Sequence, residues 1–402
     1  MNEMPPVQGL PTHRSCPYDP PDDYTRLRAE RPVVPIVYPD GNQGWLLSRY
    51  EDVKTLLTDP RFSSERSRSA RTRHRDTKPA MPPGAFISMD PPEHTRYRRL
   101  VSGRFTTRKM RELEPRVEAY ARQFLDRMEE KGGPVDLVEE YALPIPSLVI
   151  SDLLGVPSGS RADFQRWSAD VLNVELPLDQ IKASINEFSR FMQDLIAFKK
   201  KEPGDDLISD LVHPGSEDDR LTDDEVAGLC TLMLIAGHES TSNMLSLGTL
   251  VTLRNEDQLS ALRENPALID SAVEELLRYL SIVQFSFTRT ALEDMEIGGH
   301  RIEAGQTVVG AMVSANRDPE SFPDPDRLIF DRQDARNLAF GHGVHMCIGH
   351  QLARIEMKVA FRRLFERFPT LRIAVPDDQI RFKTDSVVYG VWELPVTWDA
   401  TR

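Results

Sequence analysis

The chain has 402 residues, of which 40% are apolar and 28% charged, with 22 glycines, 30 prolines and only 3 cysteines. That much apolar material over that length buries a large core, which excludes a disordered chain, a collagen-like repeat and a disulfide scaffold. Fifty Lys and Arg against 63 Asp and Glu leave a net charge of -13, which works against a general affinity for nucleic acid or anionic lipid.

In chain order, Met1 to Arg14 carries Pro5, Pro6 and Pro11 among polar residues, with no apolar stretch behind a basic start. Residues 1–19 are therefore expected to form an extended segment without a secretory signal. Alternating runs at Val33–Val37 and Trp45–Leu47 predict strands, and Tyr50–Thr58 predicts a short helix. Ser63–Pro83 is polar and dense in Arg and Ser, a loop of the length that usually carries function. Beyond it Val117, Tyr120, Ala121, Phe124, Leu125 and Met128 recur at helical spacing, and further helices are expected over Ile145–Leu154, Ser160–Val174, Leu178–Lys199 and Ala267–Leu280. The clearest helix starts at Thr222, with Glu225 completing a capping box, and runs to about Leu253, roughly 45 Å at about 1.5 Å per residue. Apolar residues fill nearly every face between Ala227 and Ile235, so this helix should cross the core.

Short strands are expected at Val283–Phe287, Met295–Ile297, Arg301–Ile302 and Thr307–Gly310. The fold class is mainly α with a smaller β region, in one domain over residues 1–402, since no repeat or long linker interrupts the chain. No apolar run is long enough to span a bilayer, so a cytoplasmic protein with no membrane or nucleic-acid partner is expected. Cys16, Cys230 and Cys347 are widely spaced and odd in number, which suggests free thiols.

Phe340-Gly341-His342-Gly343-Val344-His345-Met346-Cys347-Ile348-Gly349 sets three glycines around one cysteine, followed by a helix to about Phe365. Glycines relax that backbone, and a helix start stabilises a sulfur anion, so Cys347 is placed to be a ligand or nucleophile. A buried structural cysteine is the bland alternative. A zinc site built from His342, His345, Cys347 and His350 is another, although no Cys-x-x-Cys pair accompanies it and the glycines suit a flat macrocycle better than a tetrahedral cage. Within the long helix, Ala236-Gly237-His238-Glu239-Ser240-Thr241 puts an acid and two hydroxyls in an apolar segment. Such groups are costly there unless used; they mark either a kink satisfied by back-bonding to the preceding turn or a groove that manages water and protons.

The cysteine loop, in its Phe-x-x-Gly-x-x-x-Cys-x-Gly spacing, resembles the haem-binding loop of the cytochrome P-450 family, and the chain resembles a bacterial member from Asp90 to Gly349 by motif. The resemblance implies haem b buried between the long central helix and the cysteine-loop helix, with Cys347 as the iron ligand and Phe340 and Gly349 shaping its loop. A thiolate ligand pushes electron density onto iron and favours O–O cleavage. It further implies Glu239 and Ser240 as the acid–alcohol pair, with Thr241 next. Ser240 departs from the family's usual threonine and lacks the methyl that fixes the rotamer.

In Asp90-Pro91-Pro92-Glu93-His94-Thr95-Arg96-Tyr97-Arg98, His94 and Arg98 match the propionate-binding pair, and Arg289 and His345 match two further contacts. Glu275 and Arg278 match a structural pair completed by another arginine; Arg327 is the expected third member, with Arg332 as fallback.

The implied function is a monooxygenase that activates O2 and hydroxylates or epoxidises a hydrophobic small molecule, a polyketide, macrolide or terpenoid of secondary metabolism. Electrons would come from NAD(P)H through a ferredoxin and its reductase to a monomeric enzyme. Arg104, Arg108, Lys109, Arg111 and Arg354 form a candidate docking patch. Ile235, Ala236, Val283, Phe285 and Val387 are expected to line the pocket with the Ser63–Ile87 loop. A peroxygenase using H2O2 and a non-catalytic haem sensor are the alternatives; the retained acid–alcohol pair counts against both.

Overall fold

Thr222 closes a polar turn and starts the longest element. Its hydroxyl accepts from the Glu225 backbone N–H (3.2 Å), while the Glu225 carboxylate accepts from the Thr222 N–H (2.7 Å), and the central helix then runs over Asp223–Arg254. Every residue from Thr241 to Thr252 is buried. Two hydroxyls in that stretch are made compatible with burial by local bonds: Ser246 donates to the Ser242 carbonyl (3.0 Å) and Thr249 to the Leu245 carbonyl (2.8 Å). Gly248 lets the helix that follows the cysteine loop (His350–Arg367) approach, since a Cβ there would lie 2.5 Å from the Phe361 ring. This computed structural model describes residues 6–38, 41–65, 83–172, 176–284, 288–333, 336–384 and 386–399.

Two apolar clusters grip the two halves of the central helix. Its C-terminal half packs with the helices Thr107–Lys131, Ile269–Leu280 and His350–Arg367 around Leu247, Leu250, Leu276 and Phe361. Its N-terminal half packs with the helices Glu93–Ser102, Pro144–Leu154 and Leu178–Lys201 around Leu229, Leu234, Leu154 and Leu195. Full burial of such side chains stabilises by about 1.5–3 kcal/mol each before entropy is counted, so the helix is fixed from both sides. No helix among the described residues is long and apolar enough to cross a membrane.

The strands are β1 (Val7–Gln8), β2 (Val33–Val37), β3 (Gln43–Leu47), β4 (Phe62–Ser63), β5 (Val135–Asp136), β6 (Thr288–Ala291), β7 (Met295–Ile297), β8 (His300–Ile302), β9 (Thr307–Gly310), β10 (Arg372–Ile373) and β11 (Pro395–Thr397). The main sheet has the order β1-β2-β3-β9-β6-β4, with β9 parallel to β3 and antiparallel to β6. Of the strand expected over Val283–Phe287, residues 285–287 lie outside the described residues. Val283 makes one isolated bridge to Val388, and the regular ladder starts at Thr288. Thr-Arg-Thr-Ala has no alternating apolar signal; its pairing comes from β9 and β4, which only the fold brings alongside. The small sheet of β10, β11 and β5 went unread because its strands are two or three residues long, too short to show a period.

Glu356, on the His350–Arg367 helix, is buried with one carboxyl oxygen lacking a hydrogen-bond partner among the described residues, and burial pushes its carboxyl up to about 8. A carboxyl raised above its unfolded value of about 4.3 contributes stability below that pH and loses it as pH rises through about 8. Stability in urea titrations should therefore decline across this window in the wild type, and Glu356→Gln should flatten the decline. Equal slopes in the two proteins would mean that Glu356 is ionised in the native state.

Candidate active site

The cysteine loop is shaped by left-handed backbone at Gly341 (φ 70°) and Gly343 (φ 71°), and a Cβ at Gly343 would collide with the Leu57 carbonyl at 2.6 Å. The Cys347 N–H donates to the Phe340 carbonyl (2.8 Å), and Gly349 caps the following helix. Cys347 is exposed, whereas Cys230 is buried. Cys347 opens to solvent on one side while protein atoms crowd it on the others, and that desolvation raises its thiol; the Gly349 backbone, Arg98 and Arg354 oppose the rise.

Beside the loop stands a set of donors with too few acceptors. His94 is buried with neither ring nitrogen hydrogen-bonded among the described residues, and its ring lies 4.1 Å from that of His345. Arg98 donates to the Met346 carbonyl (2.7 Å), and Arg289 donates to the carbonyl of adjacent Thr288 (3.1 Å). Burial lowers Arg289 to about 10 and His345 to about 3, with the neighbouring cations adding to the effect on His345. The acid nearby, Asp90, accepts from the Ser63 hydroxyl and from the Ser64 N–H (2.7 Å). Orphaned ring nitrogens and buried guanidinium groups together call for anionic ligands at this place. The four residues named from sequence for the propionates, His94, Arg98, Arg289 and His345, are the ones that converge here.

On the central helix the Ser240 hydroxyl donates to the Ala236 carbonyl (2.7 Å), so the expected back-bond is present, and the helix runs unbroken through it. Thr241 and His238 are buried, and burial lowers the His238 ring to about 4. Ile235 is 42% exposed although Leu234 is buried beside it; among the described residues of the expected pocket segments, Ile87 (51%) and Val387 (52%) are also open apolar side chains. Val283 bridges to Val388, the Gln284 N–H donates to the Val387 carbonyl (2.9 Å), and Asn243 on the central helix reaches the Val388 carbonyl (3.4 Å). Ile235 and Ala236 lie on the central helix and these bonds join Val283 and Val387 to it, while Phe285 and residues 66–82 of the expected pocket loop lie outside the described residues.

The structural pair needs one correction. Arg278 holds Glu275 through two hydrogen bonds (2.7 and 2.8 Å) with both side chains fully buried, and the third member is Arg332, whose Nε donates to Glu275 at 3.0 Å. Arg327 is exposed and contributes its carbonyl, which accepts from Arg278 (3.1 Å) and Arg332 (3.2 Å). The Pro323–Arg327 turn presents carbonyls rather than side chains inward, which sequence spacing does not reveal.

The expected docking cations are largely neutralised. Arg104 pairs with Asp205 and Asp210, Lys109 with Glu112 and Asp205, and Arg354 with Glu274 while stacking on Phe340. Arg108 lies 4.0 Å from Glu112, and Arg111 is exposed. The zinc alternative finds no support in the geometry: no group of three or more His, Cys, Asp or Glu among the described residues could hold a metal. One polar residue near the site escaped the sequence reading altogether. Lys383, 144 residues downstream of Glu239, reaches its carboxylate, and a lone lysine in a polar turn carries no sequence signal for that role.

An exposed cysteine on a glycine-shaped loop stands beside buried polar groups that lack partners, an arrangement open to a ligand that brings acceptors and binds sulfur. The comparisons agree. The sequence model described as Cytochrome P450 matches residues 20–176 and 172–389. Cytochrome P450 105C1 of a Streptomyces species is 43% identical over 96% of this chain and 97% of its own length, and the vitamin D(3) 25-hydroxylase of Pseudonocardia autotrophica is 43% identical over 93% and 92%. The crystal structure of CYP105P1 in complex with filipin I superposes with a TM-score of 0.91 at 41% identity, covering 98% of this chain and 100% of that one. The chain belongs to the cytochrome P450 family. It is a monooxygenase of the haem-thiolate type that uses O2. The residues present fit that cofactor, because the orphaned nitrogens of His94 and the buried Arg289 are the partners that two propionates require.

Proposed function

We propose that residues 1–402 form one haem-thiolate monooxygenase domain that places one atom of O2 into a C–H or C=C bond of an apolar small molecule, a polyketide, macrolide or terpenoid of secondary metabolism. Two electrons and two protons accompany each O2, and the second oxygen atom leaves as water. The electrons come from NAD(P)H through a ferredoxin and its reductase. The observation that carries this reading is the exposed Cys347 thiol set beside the unpartnered donors of His94. Cys347 would hold the iron, His94, Arg98, Arg289 and His345 the propionates, and Phe340 and Gly349 the loop around the sulfur. Bound there, haem supplies the one-electron chemistry that reduces O2.

The chain's own residues do the rest. Ile87, Ile235, Ala236, Val283 and Val387 offer apolar surface that orients a substrate and excludes water. Glu239, Ser240 and Thr241 hold and move protons. Ser240 donates a hydrogen bond to the Ala236 carbonyl, and its oxygen keeps the capacity to accept one from water. The substrate class is supported by the vitamin D(3) 25-hydroxylase among the relatives and by the filipin I complex among the solved structures.

A panel of apolar ligands screened for the low-to-high spin change, followed by turnover with a ferredoxin, its reductase and labelled O2, tests the proposal. One labelled atom per product supports it; label arriving from water overturns it. Ser240→Ala is expected to consume NAD(P)H while releasing more peroxide and less product, with coupling lower by about tenfold. Unchanged coupling would remove Ser240 from the proton path.

A further inference from the structure

Glu239 meets its charged partner in a turn from near the end of the chain. Lys383 Nζ lies 3.4 Å from Glu239 Oε1 and 3.2 Å from Asn243 Oδ1, with the two charged side chains only 12% and 20% exposed. The ammonium also faces the Trp392 ring, 5.0 Å from its centroid. An ion pair so enclosed is screened far less by water than a surface pair, so each charge constrains where the other can sit.

The turn that carries Lys383 is itself docked on the helix. The Lys383 N–H donates to the Gly390 carbonyl (2.8 Å), and Gly390 abuts Asn243 so closely that a Cβ would lie 2.3 Å from its side-chain oxygen. Asn243, one helical turn beyond Glu239, completes the seam by donating to the Val388 carbonyl (3.4 Å). Val387, one of the open apolar side chains on the expected pocket segments, stands next to Val388 in the chain.

We propose that Lys383 is a positioning residue for Glu239: it holds the carboxylate against the central helix. The inference rests on the reading of Glu239 as a proton carrier.

The test uses the haem-loaded enzyme with a ferredoxin, its reductase and an apolar ligand that gives the spin change. Lys383→Gln is expected to lower coupling by about threefold to tenfold, to alter the H2O/D2O rate ratio, and to shift the C–O stretch of the reduced carbon monoxide complex, which senses nearby charge without turnover. Lys383→Arg should restore all three toward wild type, because a guanidinium can still pair with the acid; rescue of this kind separates a paired cation from a residue needed only for folding. In a Glu239→Gln background, Lys383→Gln should add nothing to coupling or to the isotope ratio. Wild-type behaviour of Lys383→Gln, or its full effect persisting beside Glu239→Gln, overturns the proposal. If Glu239→Gln alone leaves coupling and isotope ratio unchanged, the proton-carrying reading fails, and the C–O stretch then decides the positioning claim separately: a shift in Lys383→Gln that vanishes beside Glu239→Gln upholds it, and no shift overturns it.

Discussion

Cys347→Ala is expected to leave a folded protein whose reduced carbon monoxide complex has lost the thiolate-type Soret shift. The loop survives the change because its local bond, from the Cys347 N–H to the Phe340 carbonyl, belongs to the backbone, and the side chain is exposed rather than packed. Without cofactor, the cost in stability should stay within about 0.5 kcal/mol, the range of surface substitutions. Turnover should fall by more than the roughly 10–100-fold that the loss of an outer-shell partner of a metal costs, since here the ligand atom itself is removed. The other cysteines cannot substitute. Cys230 is enclosed in the core cluster around the N-terminal half of the central helix, where burial pushes its thiol up to about 12. Cys16 sits in the N-terminal segment beside Asp19, Tyr279 and Tyr389, none of which belongs to the cysteine loop. A Cys347→Ala protein that kept the thiolate shift would sink the ligand assignment.

Glu275→Ala should be the most destabilising single change near the site, costing about 3–5 kcal/mol, because it strands two buried guanidinium groups and a buried N–H at once. Glu275 accepts from Arg278, from Arg332 and from the Ile329 backbone (2.9 Å) with no exposure to water. Against a total stability of about 5–15 kcal/mol, that loss brings the fold near its threshold and should lower soluble yield and haem content together. The paired comparison is the sharper measurement. Arg332→Ala removes a side chain that touches Glu275 and should lower the urea midpoint, whereas Arg327→Ala removes an exposed side chain and keeps the carbonyl that Arg278 and Arg332 use, so it should stay within about 0.5 kcal/mol of wild type. Equal losses in the two arginine variants would contradict the arrangement.

These two cases also mark where sequence reasoning succeeds and where it stops. The cysteine loop was legible because its determinants are neighbours in the chain: two glycines in left-handed backbone, a ligand-type side chain and the helix start beyond it lie within ten residues. The capping box at Thr222 and Glu225 and the helix from Leu178 were legible for the same reason, since caps and a 3.6-residue stripe repeat over short distances. The exchange of Arg327 for Arg332 was not legible, because both arginines follow the same Pro-rich turn and the choice depends on which one the turn aims inward. The docking patch misled in a related way: Arg104 reads as a free cation until the fold brings Asp205 and Asp210 against it.

Fold class and the thiol to watch therefore belong to local chemistry, whereas His94, Arg98, Arg289 and His345 come from three distant segments and are named only through the family resemblance. The pairing of β6 with β9, the third arginine on Glu275 and the lysine on Glu239 belong to the folded molecule. Each joins segments whose meeting depends on how the apolar clusters close around the central helix, and no short-range pattern encodes which distant side chains that closure brings within hydrogen-bonding distance.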